Sequence, residues 1–307
     1  MEPPTHLTLI LDLPPTLWGA PPNHGPNEPL MPLSSFLSHV LAFVNSHLGA
    51  REENGITVLG AFPSKSALLF TSSSITDAAP QGANTYHTFK IVDSEVIAKI
   101  QHGLASIHED REAPSGLVGA LTKGLCHINR MLYGSTGTAT GESSRMTLDA
   151  TILILSVSPD ISTSYIPIMN FIFAAQKLKV KIDVCKVFGE DTVFLQQAAH
   201  LTGGSYVTLR KQDSLLQYLM MCFSAPSSVR EIINIPTQDR IDLRAACFCH
   251  KNIVDIGYVC SVCLSIFCSP VPVCSTCRSK FPMKTLRRFG FGLPKSGVNA
   301  AHIAAKS

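Results

Sequence analysis

The sequence predicts an α/β protein with a doubly wound, mostly parallel six-stranded sheet that has one antiparallel edge and is followed by a small cysteine-rich module. The segment Thr151–Val157 (TILILSV) is apolar nearly throughout, which is typical of a central parallel strand covered on both faces. After it, helix and strand patterns alternate as in successive βαβ units. Earlier, Gly55–Phe62 and Ser66–Thr71 enclose only Pro63-Ser64-Lys65, which predicts a hairpin and hence the antiparallel edge.

The first half of the chain begins with a predicted buried strand, His6–Leu13, which leads into a loop crowded with proline. A helix is predicted over Leu33–Leu48, because apolar side chains recur at helical spacing and Gly49 provides a stop. The polar segment Ser72–His87 is predicted to be a loop. Two amphipathic helices are predicted to follow, at Ser94–His108 and Ser115–Tyr133.

The second half contains the alternating elements that complete the sheet, after the low-complexity segment Gly134–Met146. They are predicted as strand Thr151–Val157, helix Tyr165–Leu178, strand Lys181–Phe188, helix Thr192–Leu201, strand Ser205–Leu209 and helix Ser214–Phe223. These limits assign residues 1–225 to a sheet domain and 226–244 to a proline-punctuated linker. Residues 245–285 then form the cysteine-rich module, and residues 286–307 a basic, disordered tail.

The module carries seven of the chain's ten cysteines, all between positions 247 and 277. Four of them form two Cys-x-x-Cys pairs, Cys260/Cys263 and Cys274/Cys277, and this spacing turns two thiolates toward one ion. Ten residues separate the pairs, enough to double back as a hairpin that bends at positions 269–272 (SPVP). We predict a structural Zn²⁺ on these four thiolates, because four protein ligands leave no open position for catalysis.

Other interpretations of the cysteines fit less well. A disulfide framework suits a short secreted chain, and a thioredoxin-type pair needs a single Cys-x-x-Cys at the start of a helix. A second metal site in a RING-like, cross-braced arrangement would use Cys247, Cys249, His250 and Cys268. Against that site, adjacent Cys249 and His250 are not expected to point at one ion, and free buried cysteines that pack the module are the alternative.

Composition indicates a chain that is covered by protein partners. Charged residues are 15% and hydrophobic residues 45% of the chain, against about 25% charged in average globular proteins. Neither Ile152–Val157 nor Ile166–Ala175 approaches the roughly 18 apolar residues of a membrane span, and the start lacks the basic region of a signal peptide. We therefore expect an intracellular protein with no membrane partner.

The end of the chain is basic. From Arg278 onward there are seven Lys or Arg and no Asp or Glu. A basic tail can contact nucleic acid, but a solvated end is the commoner state, so direct contact with nucleic acid is only the secondary interpretation.

The carboxyl end of the first strand is where a ligand site is expected in an open α/β sheet. Strand, sheet and hairpin resemble the von Willebrand factor A-type domain, whose metal-binding members hold Mg²⁺ with an Asp-x-Ser-x-Ser motif plus a Thr and an Asp from later loops. Only Asp12 and Thr16 match, and Pro14 offers no side-chain oxygen in place of the first serine. The later loops offer Ser115 and Asp160. Because Mg²⁺ requires nearly octahedral oxygen ligands, no Mg²⁺ is expected at Asp12, which is predicted to hydrogen-bond a loop.

Longer segments resemble one family of transcription-factor subunits. The likeness is carried by Trp18-Gly19 after the first strand and by Phe171–Cys185 (FIFAAQKLKVKIDVC), Leu195–Val207 (LQQAAHLTGGSYV) and Arg244–Cys268 (RAACFCHKNIVDIGYVCSVCLSIFC). The family is that of the smaller von Willebrand A-type subunits of general transcription and DNA-repair factor IIH, and the chain resembles its fungal forms.

The resemblance implies a nuclear, non-enzymatic subunit with no catalytic or cofactor-binding residues. It implies binding to the larger von Willebrand A-type subunit of factor IIH and to other core subunits. That core carries two helicase-type ATPases, which open promoters for RNA polymerase II and open DNA around lesions in nucleotide excision repair. The family's four-cysteine zinc finger corresponds to Cys260, Cys263, Cys274 and Cys277. Two alternatives from other classes are a RING-like ubiquitin ligase and a metal-dependent ligand-binding A domain, which Pro14 disfavours.

Overall fold

The computed structural model describes residues 3–19, 31–74, 87–107, 113–133, 148–160, 165–230, 232–233, 241, 243–250, 252–282, 284 and 288. The chain forms two compact units, the sheet unit (Met1–Leu243) and the cysteine module (Arg244–Ser307). The segment Gly134–Met146 lies outside the described residues, as does the predicted basic tail except for Arg288.

The sheet unit contains a six-stranded sheet with the strand order β3-β2-β1-β4-β5-β6. The strands are β1 Thr5–Asp12, β2 Gly55–Phe62, β3 Lys65–Thr71, β4 Asp149–Ser156, β5 Lys181–Lys186 and β6 Tyr206–Thr208. β2 and β3 pair antiparallel, and every other neighbouring pair is parallel. This confirms the predicted doubly wound, von Willebrand A-like sheet with one antiparallel edge.

The helices of the sheet unit follow the predicted order. In the described part of the chain they are α1 Pro15–Gly19, α2 Leu33–Ala50, α3 His87–Ala105, α4 Leu117–Tyr133, α5 Tyr165–Leu178, α6 Val193–Thr202, α7 Leu215–Tyr218, which continues as a π-helical turn over Leu219–Phe223, and α8 Ser227–Arg230. Single 3₁₀ turns lie at Ser72–Ser74 and Gln212–Ser214.

Within the predicted sheet domain, residues 1–225, two helices depart from the sequence prediction. α3 begins at His87 rather than Ser94, because Ser94 does not cap it: the Ser94 hydroxyl donates to the Ile91 carbonyl, 3.1 Å away and inside the helix. α1 lies within the proline-rich segment that was predicted as a loop. Proline at its first position already has the φ angle that a helix requires, and the Trp18 amide donates to the Pro14 carbonyl at 3.3 Å.

Helices cover both faces of the central strand β1. On one face Leu9 is fully buried in a core cluster that includes Phe36 of α2. On the other face α4 approaches so closely that a Cβ on Gly124 would lie 3.0 Å from Thr8 Cγ2 and 3.2 Å from Leu59 Cδ1. Burial on both faces accounts for the almost continuous apolar character of the parallel strands.

The predicted linker begins too early. Its first residues form α8, and the Arg230 guanidinium donates to the Asp183 carboxylate of β5. The same guanidinium donates to the carbonyls of Ala225 and Phe223, at 2.8 and 2.9 Å. The chain therefore stays attached to the sheet unit as far as residue 230, beyond the boundary predicted at residue 225.

The cysteine module is built from short hairpin turns rather than from a core of regular elements. Its described strands are β7 Tyr258–Val259 and β8 Ile266–Phe267, which pair antiparallel. The turn between them is the first Cys-x-x-Cys segment itself. The chain therefore reverses its direction between Val259 and Ile266. The bend predicted at positions 269–272 comes after this reversal.

Candidate metal centres

Four cysteine sulfurs of the module converge at the predicted site. The Sγ atoms of Cys260, Cys263, Cys274 and Cys277 all lie within 4.8 Å of one another. Cys263 and Cys274 are 3.5 Å apart and Cys260 and Cys277 are 3.7 Å apart, each distance being measured between Sγ atoms. Two thiolates on one tetrahedral Zn²⁺ lie about 3.8 Å apart, since each Zn–S bond is about 2.3 Å. The four sulfurs can therefore hold one metal ion.

Both Cys-x-x-Cys pairs lie in the same kind of turn. The amide of the first cysteine donates to a carbonyl five residues later, from Cys260 to Ser265 and from Cys274 to Ser279, each at 2.9 Å. The residue just after each pair, Leu264 or Arg278, has a φ of 60°. Non-glycine residues rarely adopt this left-handed conformation, so its occurrence in both turns indicates one shared geometry that aims the two sulfurs inward.

Serine hydroxyls beside the sulfurs favour the thiolate form that binds metal. The Ser265 hydroxyl lies 3.1 Å from the sulfur of Cys263, and the Ser279 hydroxyl lies 3.0 Å from that of Cys277. The hydrogen bond from Ser265 lowers the pKa of Cys263 to about 6, and the bond from Ser279 lowers the pKa of Cys277. Thiolates are the ligands that zinc requires.

A second cluster unites the remaining candidates. The ligand atoms of Cys247, Cys249, His250 and Cys268 also lie within 4.8 Å of one another. Cys268 Sγ is 3.4 Å from Cys249 Sγ and 3.2 Å from His250 Nδ1. The expectation that adjacent Cys249 and His250 would not easily point at one ion is therefore wrong for this module. Cys249 is exposed, so it is not the buried packing cysteine of the alternative interpretation.

The signal for this cluster is a spacing that the sequence argument overlooked. Cys247-x-x-His250 repeats the spacing of the Cys-x-x-Cys pairs, and the Cys247 amide donates to the Asn252 carbonyl five residues later, at 2.9 Å, as in the other two turns. This third turn supplies one pair of ligand atoms, and Cys249 and Cys268 supply the others. With all four ligands from the protein, either cluster would leave an ion no open coordination position, as in structural sites.

The two clusters interleave along the chain. Cys260 and Cys263 lie between His250 and Cys268, and Cys268 lies before Cys274. An ion in each cluster would tie this small module together at two points. The interleaved order in itself defines no chemical activity.

At the carboxyl edge of the sheet, Asp12 is fully buried and its carboxylate accepts three hydrogen bonds. Oδ1 accepts from the Ser115 hydroxyl at 2.7 Å, and Oδ2 accepts from the amides of Val157 and Ser158 at 3.0 and 2.7 Å. The predicted role of Asp12, hydrogen bonding to a loop, is thus confirmed. Trp18 is buried as well, and its indole N–H donates to the Asp12 carbonyl at 3.0 Å.

Of the other candidate magnesium ligands, Ser115 contacts Asp12, whereas Thr16 and Asp160 have other surroundings. Thr16 is exposed on α1. The Asp160 carboxylate instead accepts from the Phe194 amide in the first turn of α6, at 3.2 Å, and burial raises the pKa of this carboxyl group. Together with Pro14, these positions do not fit an octahedral oxygen site.

None of the described helices has the length and apolar character needed to cross a lipid bilayer.

Sheet order, a hydrogen-bonded aspartate at the carboxyl edge and two clusters of potential metal ligands define the class: a von Willebrand A-like domain joined to a small cysteine-rich module that could hold metal. Sequence comparison identifies the family within this class. The family described as "Transcription factor Tfb4" matches residues 4–278, and the chain belongs to this family.

Curated relatives match along most of the chain. The Schizosaccharomyces pombe "General transcription and DNA repair factor IIH subunit tfb4" is 37% identical over 291 residues, which cover 93% of this chain and 91% of the relative. The Arabidopsis thaliana subunit TFB4 is 35% identical over 287 residues, covering 91% of this chain and 90% of that relative. Among solved structures, the "TFIIH p34 N-terminal Domain" aligns with a TM-score of 0.59 at 30% identity, covering 72% of this chain and 98% of that one.

Proposed function

We propose that this chain is a non-catalytic structural subunit of the factor IIH core in the nucleus, acting in promoter opening for RNA polymerase II and in nucleotide excision repair. The observation that carries the proposal is the match of more than nine-tenths of the chain to a relative named as a subunit of that factor. A scaffold role is supported by a sheet edge whose aspartate is satisfied by hydrogen bonds. The relatives' names lend no support to the ubiquitin-ligase alternative.

The partners in this proposal are the larger von Willebrand A-type subunit and other core subunits. Apolar side chains exposed on the cysteine module support protein contacts, because isolated apolar residues are common on surfaces but groups of them mark interfaces. They are Ile256, Val259, Val262 and Leu264, with 59–79% of each residue exposed. A module that displays such residues at the end of the described chain suits a docking role.

We expect the chain alone to aggregate and co-expression with the larger A-type subunit to give a soluble one-to-one complex, as measured by size-exclusion chromatography with light scattering. Deleting residues 244–307 should weaken this complex. This deletion leaves Arg230 attached to Asp183, so the sheet unit keeps its anchor. Truncation after Arg288, which removes most of the basic tail and keeps the cysteine module, is the matched control. A highly soluble monomer with no affinity for the larger subunit would refute the scaffold proposal.

We propose further that both clusters hold structural Zn²⁺, the first on Cys260, Cys263, Cys274 and Cys277 and the second on Cys247, Cys249, His250 and Cys268. Cysteine and histidine are the ligand types that zinc selects, and each cluster offers a complete set of four.

Elemental analysis of protein purified without chelators is expected to give two zinc ions per chain. Cys249→Ser should remove one ion, because it deletes a ligand of the second cluster only. Cys126→Ser is the matched control, since Cys126 is an exposed cysteine of α4 outside both clusters. One zinc ion in the unmodified chain, or an unchanged content in Cys249→Ser, would contradict the second site.

A further inference from the structure

Lys186 ends β5 at the carboxyl edge of the sheet and is completely buried. Its ammonium group donates to the Ser158 carbonyl at 2.7 Å. The amide of the same Ser158 donates to the Asp12 carboxylate, also at 2.7 Å. One residue thus links a buried cation to a buried anion. A lone buried charge is costly, so the proximity of these two groups requires an explanation.

The surroundings of Lys186 are those of a cation site. The four carboxylates of Asp12, Asp160, Asp191 and Glu190 act on it electrostatically. Burial lowers the pKa of Lys186 to about 8, and these carboxylates, Asp12 foremost, oppose that fall. The side chain therefore carries its charge at neutral pH.

The turn after β5 closes around the lysine. Gly189 has a φ of 87°, a conformation that favours glycine. A Cβ at this position would lie 3.3 Å from the Val157 carbonyl and 3.7 Å from Lys186 Cε. The turn thus covers the side chain and separates it from solvent.

We propose that the Lys186 ammonium is the built-in cation of this edge, in the place where metal-binding domains of the same fold carry Mg²⁺. In this proposal, the loss of the metal site at Pro14 and Asp12 and the buried positive charge of Lys186 belong together, because the lysine supplies the charge that a metal ion would otherwise supply. Pro14 supplies no ligand oxygen, and Asp12 is satisfied by protein hydrogen bonds. With the lysine in this role, a partner protein cannot bind to this edge through an acidic side chain that coordinates a metal ion. The inference does not depend on the proposed role in factor IIH.

The test is a double-variant cycle in the full chain, followed by tryptophan fluorescence during heating in dilute solution. Trp18 is the chain's only tryptophan and donates to the Asp12 carbonyl, so its emission reports on this edge. Lys186→Met removes the charge and keeps most of the apolar stem. Asp12→Asn removes the opposite charge and can keep the hydrogen bonds, because its amide can donate to the Ser115 hydroxyl while its oxygen accepts from the backbone.

Each single variant is expected to lower the melting temperature by on the order of 10 °C, since it removes one of the two opposite charges buried at this edge. The double variant should recover part of that loss. Lys181→Met, at the opposite end of β5 and only partly buried, is the matched control and should change little. Millimolar Mg²⁺ should not shift the melting temperature of the unmodified chain.

Three results would overturn the proposal: a Lys186→Met variant as stable as the Lys181→Met control, additive losses in the double variant, or a rise in the melting temperature of the unmodified chain with Mg²⁺. The magnesium measurement needs no variant. A rise in the melting temperature with Mg²⁺ would overturn the proposal even where Lys186→Met does not fold.

Discussion

Replacing Cys260 or Cys277 with serine is expected to unfold the cysteine module and leave the sheet unit folded. Structural zinc in small domains contributes on the order of 10–16 kcal/mol of apparent binding free energy at neutral pH. The module has little else to hold it, because its described core cluster contains only Cys260, Phe267 and Cys274 as fully buried members. Two of these three residues are themselves metal ligands in the proposal.

Amide hydrogen exchange on the full chain measures this separation directly. In either variant, protection should be lost for the amides at positions 260 and 274, which donate to the Ser265 and Ser279 carbonyls in the intact turns. Protection of β1 and β4 should remain. Cys126→Ser again serves as the control, and retention of protection in the module after zinc loss would show that its own packing suffices to fold it.

The sheet could be predicted because its signals are local and repeated. Thr151–Val157 is apolar for the simple reason that β4 lies in the middle of the sheet, and the observed strand, Asp149–Ser156, differs only at its ends. The start of α3 could not be predicted from Ser94, since a serine can equally bond to the carbonyl of the preceding turn, as it does here.

The candidate sites could be predicted only in part from the sequence. The first cysteine cluster was predicted completely, because Cys-x-x-Cys spacing is itself the geometry of the turn. The second cluster was predicted only as an alternative, because adjacent Cys249 and His250 were not expected to bind one ion. The spacing that pairs Cys247 with His250 was not recognised. Lys186 gave no signal at all: a lysine at a strand end is ordinarily solvated, and its burial depends on a turn whose path the sequence does not specify.

Arg230→Met is expected to destabilise the sheet unit by roughly 3–5 kcal/mol, the usual cost of leaving one member of a buried ion pair uncompensated. The Asp183 side chain is 1% exposed and that of Arg230 is 14% exposed. Without the guanidinium, Asp183 would keep one of its described partners, the Ser205 amide at 2.9 Å. The same change frees the carbonyls of Phe223 and Ala225, so α8 should also detach from the sheet unit.

Urea unfolding of the full chain, followed by Trp18 fluorescence in solutions dilute enough to avoid aggregation, measures this loss. Adding Asp183→Asn to Arg230→Met should restore part of the stability, because the remaining group is then neutral and can still accept from Ser205. Lys99→Met is the matched control: it breaks an ion pair with Glu95 whose side chains are 43% and 34% exposed, and should cost about 0.5 kcal/mol or less. If Arg230→Met cost no more than Lys99→Met, residues 226–230 would be a linker after all, and the sheet unit would end at residue 225, the boundary that the sequence predicted.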